Sequence, residues 1–506
     1  MATASKNTYG QILKSSALIG ASSAVEICLR IVRTKAMAVL LGPAGVGLLG
    51  LYASIADLAQ MVAGMGINSS GVREIARAVG SGEADALART VRVLRRTSIL
   101  LGAVGASLLV LFSERVSATT FGGDQPAYFV ALLSLAVLFR LTAAGQQAVV
   151  QGMRRIADLA RIAAWDALFG TCITIAMVYF LREAGLVPAL VAAAATNLLL
   201  SWWYGRKVEI QRVAMTAVQT RHAVSALLKL GFAFMASGIL MMGSAYVIRV
   251  IVLRTAGVEA AGLYQSAWTI GGLYLGFILQ AMGTDFYPRL TAASHDDSES
   301  NRLVNEQTQI GVLLAGPGVL ATLALTPLVL TALYSTKFQA AVEPLRWICL
   351  GMMLRVITWP LGFILVSRGL RSLFVGIDLA CALVHIGLAW VFVAAYGVAG
   401  AGMAFFGSYL FHALAIYPLV RRVTGFRYSR ANHRLLLLFL SLIGLVFSGF
   451  YLLPSAWATA VGALAAVGSG VYTIRVLVHL VPLDRAPPLV RRTLSLLRLV
   501  PAGQGH

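Results

Sequence analysis

Stretches of about 20 predominantly apolar residues recur along this chain from one end to the other, and that is the length a helix needs to cross the hydrocarbon core of a bilayer. Fourteen are predicted, at about 11–41, 46–71, 93–113, 126–150, 162–181, 188–205, 230–254, 260–287, 308–333, 344–366, 374–395, 401–420, 435–453 and 457–480. At that depth no water is present to satisfy a free N–H or C=O, so runs of this length are helices rather than open strands. Only 12% of the 506 residues are charged, against about 25% in a soluble domain, and the mean hydropathy is +0.81. The predicted fold is therefore an all-α polytopic membrane protein with no soluble domain hidden in it.

A net charge of +21 would suggest nucleic acid for a soluble chain, but the positions of the charges argue otherwise. Twenty-nine of the 41 Lys and Arg fall on one side of the predicted spans, among them Arg73 to Arg96, Arg154, Arg155, Arg161, Arg206 to Lys229 and Arg421 to Arg434; the seven loops on the other side hold three, Arg115, Arg182 and Lys337. That asymmetry places both termini in the cytoplasm. Anionic lipid headgroups are the expected partners of the basic loops, and no nucleic acid is expected. The first apolar run is too long and too charged for a cleavable signal peptide, and should remain as a span. Cys28, Cys172, Cys349 and Cys381 all lie within spans and show no metal-ligand spacing, so neither disulfides nor a metal site is expected.

The chain also contains its first half twice. Ala44 to Ser54, AGVGLLGLYAS, reappears as AGVEAAGLYQS at Ala256 to Ser266, with seven of eleven positions matching. Gly152-Met-Arg-Arg155 and Gly369-Leu-Arg371 likewise each follow a span with an internal arginine, Arg140 and Arg355. Duplicated helical halves are a common construction for transporters, with the cargo site where the copies meet. Four segments are expected: an N-lobe of spans one to six (1–205), a cytoplasmic linker (206–229) forming in part an amphipathic interfacial helix, a C-lobe of spans seven to twelve (230–434), and two peripheral spans with a cytoplasmic tail (435–506). The halves share one topology and are parallel repeats around a predicted central cavity. The outer loops are short, the longest being about Glu114 to Gln125, which leaves no platform for a catalytic domain on that face.

An ionised side chain at the bilayer centre costs about 2.5–3.5 kcal/mol on insertion scales, so each one needs a partner, water or a function. Nine basic residues fall within spans against five acids, Glu26, Asp57, Asp166, Asp285 and Asp378. At 100° per residue, Ser15, Ser22, Glu26, Arg30 and Arg33 share one stripe of the first span, within about 40° of Glu26, with Lys35 opposite. Such a stripe must face protein or water. Glu26 and Arg30 can satisfy one another at i, i+4, which still leaves Arg33. Arg30, Arg33, Arg140, Arg249 and Arg355 are therefore the candidate substrate-binding residues. Guanidinium groups grip oxyanions in a planar fork and keep their charge on burial, so the cargo they imply carries phosphate. Arg254, Arg346 and Lys35, near helix ends, are expected to snorkel to the headgroups. Glu26, Asp57 and Asp285 are candidates for coupling to H⁺ or Na⁺, with internal ion pairing as the plainer alternative. His385 and His412 are read as structural, and His295 to Glu299 as a solvated acidic loop.

Four places carry a family resemblance: Ile12-Leu-Lys-Ser15, Arg33-Thr-Lys35, Leu41-Gly-Pro-Ala-Gly-Val-Gly47 and Thr284-Asp-Phe-Tyr-Pro-Arg-Leu290. Through spans one to twelve the chain resembles the Wzx-type O-antigen and polysaccharide translocases, within the superfamily of multidrug, oligosaccharidyl-lipid and polysaccharide exporters. The resemblance implies a flippase that carries an undecaprenyl-diphosphate-linked oligosaccharide from the cytoplasmic to the periplasmic leaflet of a Gram-negative inner membrane by alternating access. It implies no cofactor, and it brings a polysaccharide polymerase and chain-length machinery into view as partners. Arg33, from the Arg-Thr-Lys element, and Arg249, in the matching span of the second half, are the positions it carries over. The two extra spans leave a lipid II-type flippase open as an alternative. A cation-coupled multidrug exporter would prefer an acidic cavity, and a membrane polysaccharide polymerase would need a catalytic outer loop.

Overall fold

The computed structural model describes residues 2–208, 213 and 215–480, with side chains from residue 25 onward except 230, 233, 234, 236, 237, 274, 277, 280–285, 479 and 480. Among the described residues there is no strand. Sixteen α-helices follow one another: α1 (Ala2–Gly64), α2 (Ile67–Ser81), α3 (Ala84–Leu111), α4 (Ser113–Phe121), α5 (Ala127–Gly152), α6 (Ile156–Leu181), α7 (Leu186–Gly205), α8 (Ala217–Ala256), α9 (Val258–Ala292), α10 (Asp297–Ala324), α11 (Thr326–Leu333), α12 (Val342–Ser367), α13 (Arg371–Tyr396), α14 (Val398–Thr424), α15 (Arg430–Leu452) and α16 (Ser455–Leu480). Eleven helical stretches among the described residues are long and apolar enough to cross a membrane, and two of them, Val25–Gly64 and Ile156–Gly205, each cover two predicted spans. The predicted eighth span falls on α9. In α1 the two crossings are divided at Gly42, whose φ of 67° and ψ of −165° lie outside helical space; an L side chain rarely adopts that conformation, and the following Pro43 lacks the N–H that a continuous helix would use.

The chain forms two compact units. The first comprises the described residues of Met1–Gly262 with Leu333–Lys337; the second comprises Leu263–Ala332 and the described residues from Phe338 onward. α5 is the core of the first unit, packed by α1, α2, α3 and α7, with Leu133, Ala136, Val137, Ala143, Ala148 and Val149 fully buried. α12 has the same role in the second, packed by α10 and α14, and buries Ile348, Met353, Val356, Leu361, Ile364 and Leu365. These are the helices that carry Arg140 and Arg355. The repeat has therefore placed a matching arginine on the central helix of each unit.

Local signals set several boundaries. Thr216 and Gln219 form a reciprocal capping box that starts α8, satisfying two otherwise orphaned N–H groups. α8 then continues unbroken for 40 residues, so the described part of the expected interfacial helix is the first turns of a spanning helix. Within the first unit α8 packs on α1, α2, α3 and α4. The two copies of the repeat peptide touch there: a Cβ on Gly262 would lie 1.8 Å from the Pro43 carbonyl oxygen, and one on Gly47 would lie 2.6 Å from that of Val258. Only glycine permits so close an approach.

Three arginines near the start of the linker have backbone partners. Arg92 donates to the Val213 carbonyl (2.7 Å), Arg95 to Gly205 (2.9 Å) and Arg155 to Lys207 (3.1 Å), strapping the end of α7 and the start of the linker to α3 and to the start of α6. The loop expected at Glu114 to Gln125 is largely the helix α4, closed by Ser117 donating to the Gln125 carbonyl at 2.7 Å. The last two helices dock on α10 in the second unit: Asn432 donates to the Asn305 carbonyl (2.9 Å), Phe439 lies over Gly316, and Thr473 donates to the Leu313 carbonyl (3.1 Å). Leu437, Leu445, Leu452 and Leu464 are exposed on their other faces, as lipid contact requires. Near the start of α12, the Arg346 guanidinium lies 3.5 Å from the centre of the Phe450 ring, a favourable cation–π geometry.

Candidate substrate-binding site

The charged stripe of α1 is solvent-accessible on a helix that also shows an apolar exposed face. Val25, Val32 and Val39 are exposed and lie roughly 130° around the helix from Glu26, the orientation expected of a lipid-facing stripe. Arg30, on the charged side, is also exposed, and Glu26 and Arg33 are half-buried. Acyl chains cannot solvate these groups, so the accessible charged face belongs to water or cargo.

The carboxylates of the first unit neutralise much of that positive charge. Arg30 pairs with Glu26 on its own helix. Arg140, on α5, pairs with Asp57 at 2.7 Å. The charged neighbours of Arg33 are Arg30 and Arg140 together with Asp166 and Glu26. Three guanidinium groups thus stand with three carboxylates. Arg249, on α8, donates to the Ala245 carbonyl at 3.0 Å.

Beside these charges runs a chain of neutral polar groups with no counterpart in the candidate set drawn from the sequence. Gln147 on α5 donates to Asn197 Oδ1 (3.1 Å) and to Ser201 Oγ (2.9 Å), both on α7, with the Asp166 carboxylate of α6 the charged group adjoining Asn197. The signal was available: Gln147 follows Arg140 by seven residues and so shares its face of α5.

Arg355, on α12 in the second unit, differs from its repeat partner. Among the described residues no carboxylate pairs with it, and its close neighbour is the Tyr409 ring, 6.0 Å away on α14. Asp378 and Cys381 on α13 are the other polar groups about Tyr409. His412 faces Thr358 Oγ1 at 3.1 Å, a local polar contact in keeping with a structural role. The side chain of Asp285 lies outside the described residues. The five candidate arginines divide between the units: Arg30, Arg33, Arg140 and Arg249 in the first, Arg355 in the second. No group of three or more His, Cys, Asp or Glu side chains among the described residues could hold a metal ion, and Asp296 in the acidic loop caps α10 by accepting from the Glu299 N–H.

A duplicated all-α bundle with paired and unpaired charges inside its spans has the form of a secondary transporter, and solved structures share this fold. One is a multidrug resistance MATE family transporter of the MOP superfamily in an inward-facing conformation, with a TM-score of 0.63 and 15% identity, covering 79% of this chain and 94% of that one. Another is the lipid II flippase MurJ in an inward closed conformation, with a TM-score of 0.63 and 12% identity, covering 92% of this chain and all of that one. The chain is thus a multi-pass protein of the bacterial inner membrane with the fold of the MOP-superfamily transporters. Residues 36–343 match the family described as "Polysaccharide biosynthesis protein", and the chain belongs to that family. It is also similar to the lipid III flippase of Escherichia coli (strain K12), 21% identical over 421 residues, 79% of this chain and 95% of that protein.

Proposed function

We propose that the protein is a non-enzymatic flippase that moves an undecaprenyl-diphosphate-linked oligosaccharide from the cytoplasmic to the periplasmic leaflet. The halves 1–205 and 230–434 are the elements that alternate access in this reading. The observation that carries it is Arg355, a guanidinium within a span that no carboxylate among the described residues neutralises. Arginine stays protonated on burial, so such a group calls for an anion, and a lipid diphosphate supplies one with the bidentate geometry that arginine favours. Family membership in polysaccharide biosynthesis and the similarity to a lipid III flippase support the same cargo class.

Arg30, Arg33, Arg140 and Arg249 are proposed to take over the headgroup during passage. Glu26 and Asp57 are the proposed coupling carboxylates, with Asp285 the third candidate. A proton or Na⁺ at Asp57 would weaken its hold on Arg140 and free that guanidinium for phosphate, linking ion entry to cargo affinity. Any polymerase acting on the product would meet the cargo on the periplasmic side.

The test is complementation. In a strain whose surface polysaccharide depends on this gene, Arg355→Ala at matched protein level should lower surface polysaccharide at least tenfold and leave resistance to cationic drugs unchanged. Undiminished polysaccharide with lost drug resistance would instead establish a drug exporter.

A further inference from the structure

We infer that Gln147, Asn197 and Asp166 form a glycan subsite in the first unit, one that recognises the hydroxyl groups of the sugar attached to the lipid diphosphate. The inference rests on the flippase reading and adds to it the part of the cargo that these residues contact.

The hydrogen-bonding inventory of the three side chains is only partly used. Gln147 spends both amide hydrogens, on Asn197 and Ser201, leaving its Oε1 as an acceptor. The Asn197 amide adjoins the Asp166 carboxylate, and a primary amide carries two hydrogens. The Asp166 carboxylate has about four acceptor positions, and the charges of Arg33 and Arg140 act on it. Donors and acceptors therefore alternate on three adjacent helices, α5, α6 and α7, at half-buried positions. A sugar hydroxyl, which both donates and accepts, fits such an array.

The charges around the amides are of both signs. Arg33 and Arg140 act on Asp166 from one side of the balance and Glu26 from the other, so neither a phosphate nor a metal cation meets charge of one sign at the amides themselves. Arg30, Arg33 and Arg140 are matched by Glu26, Asp57 and Asp166, and a neutral polyol is the ligand that loses nothing to repulsion on entering. The internal bonds from Gln147 to Asn197 and Ser201 hold the amides in place beforehand, so little ordering remains when a sugar binds.

The experiment uses the full-length protein in detergent and two probes, bare undecaprenyl diphosphate and undecaprenyl diphosphate bearing one N-acetylglucosamine, with affinities measured by microscale thermophoresis. The wild type should bind the glycosylated lipid about tenfold more tightly, the worth of one or two hydrogen bonds. Asn197→Ala and the conservative Gln147→Asn should each erase that preference while retaining affinity for the bare lipid, which also reports that the variants are folded. Arg355→Ala should weaken both probes equally. A wild type that binds the two lipids alike, or variants that keep the preference, would overturn the subsite and leave the flippase reading intact. Binding of neither probe by the wild type would overturn the flippase reading and the subsite with it.

Discussion

Replacing Arg355 with Met should make the protein more stable and less able to transport. The guanidinium occupies a span with no carboxylate partner among the described residues, and its visible compensation is a Tyr409 ring at the long distance of 6.0 Å. An arginine at the bilayer centre costs about 2.5–3.5 kcal/mol on insertion scales, and a cation–π contact at the edge of its useful range returns about 0.5–1 kcal/mol. Partial access to water reduces the remainder, leaving a net gain on the order of 1–2 kcal/mol when the charge is replaced by an apolar side chain of similar length. A thermal-shift measurement in detergent should accordingly show Arg355→Met melting a few degrees above the wild type, and adding undecaprenyl diphosphate should raise the wild-type melting temperature and not that of the variant. Polysaccharide export by the variant should fall. A variant that melts below the wild type and exports normally would show that Arg355 is a satisfied structural residue, and the argument from its missing partner would be refuted.

Other consequences follow from the same geometry. Asp57→Asn should lower the melting temperature by the equivalent of about 1 kcal/mol, a figure kept small because the Asp57 side chain is 52% exposed; the double change Asp57→Asn/Arg140→Met should recover most of it, and equal melting of the single and double variants would argue against the pair. Gly262→Ala should lose about 1–3 kcal/mol or fail to fold, because its Cβ would fall 1.8 Å from the Pro43 carbonyl oxygen. Gly243→Ala, where nothing lies within 4 Å, should be neutral or stabilising by up to about 1 kcal/mol, and fluorescence-detected size exclusion compares the two. Asn432→Ala removes the buried amide that joins α15 to Asn305, costing about 1–3 kcal/mol; limited proteolysis should then cut at the α14–α15 connection earlier than in the wild type.

The arginines show how far a chain can be read before its fold is known. Arg140 and Arg355 were found together, by offset within the repeat and by their place in apolar runs, and the structure puts both on the central helix of a unit. Their difference was not legible. The partner of Arg140 is Asp57, 83 residues away, and nothing in either local sequence marks the two as neighbours. The pairing of Arg30 with Glu26 was readable because i, i+4 geometry is a property of one helix. The Phe450 ring beside Arg346 was not legible, because Phe450 belongs to a helix whose docking no local pattern announced. The amide chain escaped notice because isolated Gln and Asn residues in apolar runs look alike until α5, α6 and α7 are set side by side.

What the sequence determined by itself was the solvent, the secondary structure and the orientation. Each follows from sums over short windows: apolar length sets the spans, the need to satisfy backbone groups in lipid makes them helical, and the sidedness of Lys and Arg sets which end faces the cytoplasm. Apart from the Glu26–Arg30 pair within one helix, tertiary structure decided which intramembrane charges are neutralised and which remain available. Electrostatic energy depends on distance between groups, and Arg140 and Asp57 lie on different helices, so their pairing and the open charge of Arg355 came into being only when the helices packed.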